Sequence, residues 1–261
     1  MEASFTSQQT YIDEFSSVEY LKTYYDPGHG KLSEWMQFVL QILHGVFSSG
    51  GVGGDTIIDI GTGPTIYQLL SACEVFNNII VSDFLEQNLA ELKKWLKKEP
   101  GKFDWTSCVK SVCELEGNRI SCEEKAEKLR SKVKEVLRCD VLKKNPLDPR
   151  TLPPVDCVMS CLCLEVSCKD MDSFYNALTN LKVLIKPGGH LLLLSMLNGS
   201  YYSVGDKYFS SLPITKEGLE KALRDAGYDI LETKFTAQNY QSEVDIFSAD
   251  THYFVHARKP V

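Results

Sequence analysis

The chain has 261 residues, 43% of them hydrophobic and 24% charged, which suits a soluble globular protein long enough to bury a sizeable core. Its net charge of −7 argues against nucleic acid or an anionic membrane as partner, because phosphate binding needs a cationic face. No apolar run approaches the roughly 18 residues that span a bilayer. Residues 1–15 lack the basic stretch and apolar core of a secretory signal, so a cytoplasmic, monomeric chain is expected. The nine cysteines then read as buried thiols rather than a disulfide framework. Cys161, Cys163 and Cys168 form the only local cluster. They have neither paired CxxC units nor a nearby histidine, so no metal is expected.

The first thirty residues are aromatic and polar (Phe5, Tyr11, Phe15, Tyr20, Tyr24, Tyr25) without a clean period. They read either as a segment packed on a domain surface or as a lid. Residues 31–47 place Leu32, Trp35, Phe38, Val39, Ile42 and Val46 at helical spacing, and the glycine-rich run 48–54 stops that helix. Strand and helix then alternate. Strands are predicted at 55–60, 78–82, 156–162 and 190–194, with a further strand ending near 138–141. Helices are predicted at 64–75, 86–98, 122–137, 172–185 and 215–226. Segments 228–235 and 252–257 close the chain as an antiparallel pair. This pattern predicts βαβ units and a mostly parallel sheet covered on both faces. A single domain is expected, with 1–50 as lid or cap and 51–261 as a Rossmann-like core.

The segment with most chemical content is IIDIGTGPTIY at 57–67, a strand running directly into a glycine loop. Gly61 and Gly63 allow a sharp turn and close approach of a ligand, at the strand ends where open α/β sheets bind. Asp83 ends the next strand twenty positions after Gly63, the spacing of an acid that takes a ribose diol. Asp140 and Val141 end the third strand, where an acid reaches an adenine amino group and an apolar side chain covers the ring. A dinucleotide loop would need a third glycine where Ile66 stands, and Pro64 removes an N–H that a phosphate would use. The reading is therefore a nucleoside without phosphate, S-adenosylmethionine, with Asp59 suited to its amino group.

At this point the chain resembles the nicotinamide and indolethylamine N-methyltransferases. The resemblance rests on IIDIGTGPTIYQLLSACEVF, ELKKWLKKEPGKFDW at 91–105, CELEGN at 113–118, RCDV at 138–141, LPPVDCV at 152–158 and IKPGGH at 185–190. It runs from SFTSQQTY to HARK. It implies a class I methyltransferase fold with a seven-stranded sheet and an N-terminal helical lid. It also implies that Tyr20 and Tyr25, with Tyr24, close over the methyl donor and the amine. Tyr20 would orient the substrate, since no covalent nucleophile is needed. Gly61, Thr62, Gly63, Thr65 and Tyr67 would hold the methionyl portion. Asp83, with Phe84 and Asn88 beside it, would take the ribose, and Asp140 and Val141 the adenine. Cys161 stands where the family has a small polar residue. Tyr202, Ser211 and Tyr240 match the substrate side.

Two departures touch that side. Ser195 stands where the nicotinamide enzymes carry an aspartate, and the loop QSEVDIFSADTH after Tyr240 is longer than the family's. Nicotinamide is therefore expected to be a poor substrate, with arylalkylamines of the indolethylamine type favoured. A pyridine nitrogen is neutral at pH 7, whereas an alkylamine with a pKa near 10 must first lose a proton. Glu165, Asp245 and Asp250 are candidate acids for binding or relaying that proton. Nicotinamide methylation and a catalytically inactive donor-binding homologue remain the alternatives.

Overall fold

In a computed structural model, described over residues 5–26, 32–236 and 247–261, the chain opens with α1 (Gln8–Glu14), α2 (Ser17–Tyr25) and α3 (Glu34–Ser48). Strands and helices then alternate. They run through β1 (Thr56–Ile60), β2 (Asn78–Asp83), α4 (Glu86–Leu96), α5 (Thr106–Leu115), α6 (Cys122–Lys132), β3 (Val133–Arg138), β4 (Val155–Cys161), α7 (Leu164–Ser167), α8 (Met171–Val183) and β5 (Ile185–Leu197). The chain closes with a hairpin of β6 (Tyr201–Val204) and β7 (Lys207–Ser210), then α9 (Lys216–Asp225), β8 (Asp229–Phe235), β9 (Phe247–Ser248) and β10 (Thr251–Arg258).

Seven strands form one sheet in the order β3-β2-β1-β4-β5-β10-β8. β10 runs antiparallel to both neighbours, while β1 is parallel to β2 and β4. Successive strand residues face opposite sides, and this alternation sorts the core. Ile57, Leu192, Leu194 and Phe254 join α3, α5 and α6 on one face. Ile58, Ile60, Leu191, Leu193 and Val255 join α8 and α9 on the other. The strand order reverses direction at β1 and β4, which opens a crevice beyond their carboxyl ends.

Several expectations change here. Residues 64–75 form two 3-10 turns, Tyr67–Leu69 and Ala72–Glu74, instead of one helix. Side chains hold the segment in place of a helical ladder. The Gln68 amide donates to Asp59 Oδ2 at 2.8 Å and to Thr62 Oγ1 at 3.0 Å, and Thr65 Oγ1 donates to the Thr62 carbonyl at 2.8 Å. The helix expected at 122–137 ends at Lys132, because the edge of β2 recruits Val133–Arg138 as a parallel strand. The strand expected at 190–194 extends from Ile185 to Leu197, paired along both sides. The sequence reading omitted α5 and the β6–β7 hairpin. α3 packs into the core, so the covering role falls to α1, α2 and the hairpin. Phe15, Leu85, Tyr202, Val204 and Phe209 form a small apolar cluster beneath them.

One charged group sits inside the layer that backs the sheet. The Lys125 side chain is wholly buried, and its ammonium meets Glu116 at 2.6 Å and Glu74 at 2.7 Å. Removing the cation leaves the Glu116 carboxylate buried without its partner. Lys125→Met is expected to destabilise the fold by about 3 kcal/mol, since breaking a buried pair costs far more than the pair itself contributes. Denaturant unfolding of the two proteins checks this, and an unchanged midpoint would show that the network is solvated.

Candidate active site

β1 delivers the chain into Gly61 and Gly63 with φ of +70° and +62°, a region that favours glycine. A Cβ on Gly61 would overlap the Cys163 side chain, so the loop lies tight against the end of β4. The neighbouring strand supplies the group that holds this loop. Asp83 Oδ2 accepts the Gly63 N–H at 2.8 Å, and Oδ1 accepts the Leu85 N–H at 2.8 Å and the Asn88 amide at 2.9 Å. Asn88 in turn accepts from the Ser17 hydroxyl of α2 at 2.7 Å. One carboxylate thus ties the glycine loop, the start of α4 and the lid together. At the end of β4 the chain turns through Leu162 at φ +55°, and Cys161, Leu162 and Cys163 all border the crevice.

The lid closes this crevice into a cavity. Gln8 donates to both Asp140 oxygens at 3.2 Å, and the Tyr11 and Tyr202 hydroxyls meet at 2.9 Å. Tyr20 and Tyr25 share a hydroxyl contact at 3.1 Å, and the Tyr24 hydroxyl donates to the Ser203 carbonyl at 2.9 Å. Rings continue inward from Tyr25 to Trp35 at 5.7 Å and from Trp35 to His252 at 5.5 Å.

Gly61, Thr62, Gly63, Thr65, Tyr67, Asp83, Phe84, Asn88, Asp140, Val141 and Cys161 line this one cavity, together with Tyr20, Tyr24, Tyr25 and Tyr202. Asp59 lies behind the loop, with Oδ2 accepting from Thr62 and Gln68; burial raises its pKa to about 6. Four residues expected on the substrate side are not on the wall. Ser195 and Glu165 are fully buried, and the Ser195 hydroxyl is directed at Glu165 Oε2 at 3.4 Å. Strand alternation is the cause: on β5, Met196 faces the cavity, so Ser195 faces the opposite layer. Ser211 is buried beyond the wall, with its hydroxyl oxygen unpaired among the described residues. Asp250 accepts from Asn198 at 2.6 Å in an exposed pair. Tyr240 and Asp245 lie outside the described residues. The sequence reading missed Gln8, Trp35, Met196, Phe247 and His252 as wall residues. Trp35 looked like part of a core stripe and His252 like a strand interior, so only the aromatic density before residue 26 gave a signal.

The donor set discriminates between ligands. Asp83 and Asp140 are acceptors, the Gly63 N–H is already engaged by Asp83, and Pro64 has no N–H. Two carboxylates would repel a pyrophosphate, but they match the hydroxyls of a ribose and the amino group of an adenine. The residues present therefore fit an adenosine group. The other end of the cavity is aromatic. Burial holds the Tyr20 phenol up at about 12, and it likewise pushes Tyr25, Tyr67 and Tyr202 upward, so these hydroxyls stay protonated at neutral pH. Among the described residues, no group of three histidine, cysteine or acidic side chains could hold a metal ion. No described helix is long and apolar enough to cross a membrane.

Glu165 gives a test of this burial. Desolvation raises its pKa from 4.5 to about 7, against hydrogen bonds from the Met196 N–H and Ser195. Below pH 4.5 both folded and unfolded chains carry the proton. Between 4.5 and 7 only the folded chain keeps it, so this group's contribution to stability is lost as pH rises through that window. Glu165→Gln has no such loss. Its stability relative to the unmodified protein is expected to rise between pH 5 and pH 8, by up to about 3 kcal/mol. Denaturant unfolding across that range checks it, and a constant difference would rule out a perturbed Glu165.

Comparison with known proteins agrees with this geometry. The model of the NNMT/PNMT/TEMT family matches residues 2–260. Nicotinamide N-methyltransferase of Homo sapiens is 50% identical over 244 residues, covering 93% of this chain and 92% of that protein. Indolethylamine N-methyltransferase of Mus musculus is 50% identical over 253 residues, covering 96% and 95%. Phenylethanolamine N-methyltransferase of Sus scrofa is 38% identical over 255 residues, covering 95% and 89%. The fold is similar to the crystal structure of magnesium protoporphyrin IX methyltransferase from Synechocystis PCC 6803 with bound SAM. The TM-score is 0.60 at 12% identity, with 99% of this chain and 100% of that one covered. The chain belongs to the NNMT/PNMT/TEMT family and is an S-adenosylmethionine-dependent N-methyltransferase.

Proposed function

We propose that the chain methylates the nitrogen of a small aromatic amine, with arylalkylamines of the indolethylamine type preferred to nicotinamide. The observation that carries this reading is the composition of one cavity. Its adenosine-matched end bears Asp83 and Asp140, and its other end is walled by Tyr20, Tyr24, Trp35, Met196, Tyr202 and Phe247. S-adenosylmethionine supplies a methyl group activated by a positively charged sulfur. In this proposal Asp83 takes the ribose hydroxyls and Asp140 the adenine amino group. Val141 and Phe84 cover the base, and the Gly61–Gly63 loop with Thr65 and Tyr67 borders the methionyl portion. Ser195 faces away from the cavity, so the preference rests on the aromatic end itself, where no described acidic side chain lines the wall to accept a carboxamide NH2.

The protein's own contribution is geometric and electrostatic. Aromatic walls hold the acceptor ring so that its nitrogen lone pair points in line, and such alignment supplies much of a rate enhancement. The phenol rings of Tyr20 and Tyr202 present negative faces that favour a cationic product through cation–π attraction. The protonated tyrosine hydroxyls are not bases at neutral pH. An alkylamine must therefore lose its proton to solvent before transfer, because a protonated nitrogen has no lone pair with which to attack.

Labelled S-adenosylmethionine with tryptamine, phenethylamine, quinoline and nicotinamide tests the reading. Tryptamine is expected to lead. Its kcat/KM should rise about tenfold per pH unit toward an amine pKa near 10, while that of quinoline stays flat above neutral pH. Transfer to none of the four would favour an inactive homologue, and nicotinamide as the best acceptor would overturn the preference. Asp83→Ala should weaken donor binding by about 1.5–3 kcal/mol, or roughly ten- to a hundredfold in Kd. Calorimetry measures this directly, and an unchanged Kd would remove Asp83 from the donor site.

A further inference from the structure

We propose that Met196 sets the range of ring sizes that the acceptor end takes, by rearranging its side chain to fill the space a bound amine leaves. The inference rests on the methyl-transfer reading above and names the residue that tunes its acceptor side. Period-two alternation on β5 turns Met196 into the cavity and Ser195 and Leu197 away from it. The backbone at this position is held on both sides. The Met196 N–H donates to Glu165 Oε1 at 3.0 Å, and the residue is paired in register with His252 of β10. Freedom here therefore belongs to the side chain, which borders the cavity.

Tyr20, Tyr24, Trp35, Tyr202 and Phe247, the other residues named at this end, are rings, and rings here hold one another. Tyr20 lies 5.2 Å from Tyr24 and 5.5 Å from Tyr25, Tyr25 lies 5.7 Å from Trp35, and Tyr202 stacks on Phe209 at 5.5 Å. Hydroxyl contacts add to this, Tyr20 with Tyr25 and Tyr202 with Tyr11. Turning one ring disturbs the next. Met196 differs in kind. Methionine is unbranched, with three rotatable bonds and a polarisable thioether, so it adapts to irregular gaps and packs well on aromatic rings. A thioether is at most a weak acceptor, so no strong hydrogen bond breaks when the side chain changes rotamer. A one-ring amine leaves a gap beside the fixed rings, and an extended Met196 fills it. A fused two-ring amine needs that gap, and the same side chain folds back along the wall to release it. Flexible methionine surfaces serve this purpose where one site takes several ligands.

The test measures the ratio of kcat/KM for tryptamine to that for phenethylamine in the unmodified protein, Met196→Ala and Met196→Ile. Alanine leaves the gap open, and isoleucine fills a similar volume with a branched, stiff side chain. The ratio is expected to rise about tenfold in Met196→Ala, because the smaller amine loses its packing, and to fall about tenfold in Met196→Ile, because the larger one is excluded. Both shifts should come chiefly through KM. Calorimetry with saturating S-adenosylhomocysteine should show the same opposite shifts in amine Kd, independently of turnover. S-adenosylhomocysteine itself should bind both variants as it binds the unmodified protein, which also reports that they fold. A ratio that stays within about twofold in both variants, or moves the same way in both, would overturn the proposal while leaving methyl transfer standing. Weakened S-adenosylhomocysteine binding in both variants would overturn it too, since Met196 would then support the whole cavity. Opposite shifts in amine binding without methyl transfer by any of the three proteins would uphold Met196 and refute the methyl-transfer reading instead.

Discussion

The Asp83 carboxylate is taken out of water at the end of β2, and the groups around it offset that cost. Burial alone pushes its pKa up, and donors from Gly63, Leu85 and Asn88 oppose the shift. The Phe84 N–H adds to the same effect, so the charged form is held by donors on several sides. The same interaction fixes the left-handed glycine loop, the entry to α4 and, through Asn88 and Ser17, the second lid helix. Donor site and lid are thus parts of one hydrogen-bonded unit. A change at Asp83 would be felt in loop geometry as well as in ligand contact.

The two ends of the cavity work by different physics. At the Asp83 and Asp140 end the wall presents carboxylate acceptors, whose hydrogen bonds depend on direction. At the other end Tyr20, Trp35, Tyr202 and Phe247 present rings, whose contacts depend on area and ring geometry. Gln8 links the two regimes, because the lid helix that carries Tyr11 over the aromatic end also reaches Asp140 at the other. α1 therefore touches both ends of the cavity.

Glu165 and Ser195 show why a position in the chain does not give a position in a site. Both were expected near the acceptor. β5 presents Met196 to the cavity and turns Ser195 into the layer that holds Glu165. The acid is left fully buried with its pKa near 7 and outside the wall. Period-two alternation makes this an all-or-nothing outcome, since a one-residue difference in register moves a side chain to the opposite face.

That the glycine loop and the acids at the next two strand ends border one crevice was legible in the sequence because their placement is local. A strand, two glycines, an acid twenty residues later and an acid at the next strand end all take their places from chain connectivity and strand length. The parallel sheet, the antiparallel closing pair and the lid's aromatic content followed from patterns of the same range. Tertiary structure decided whatever depended on competition between elements. The edge of β2 captured residues that a helical stripe at 122–137 had claimed. Side-chain bonds from Gln68 and Thr65 replaced a helix after Pro64. Trp35 and His252, 217 positions apart, became stacked neighbours on the cavity wall, and no local pattern encodes that distance. The glycine-loop end of the cavity is written in short-range spacing because one βα loop and its neighbouring strand supply it. The aromatic end of the cavity is assembled from α2, α3, β5, β6 and β10, so it exists only once the sheet and the N-terminal helices have brought those elements together.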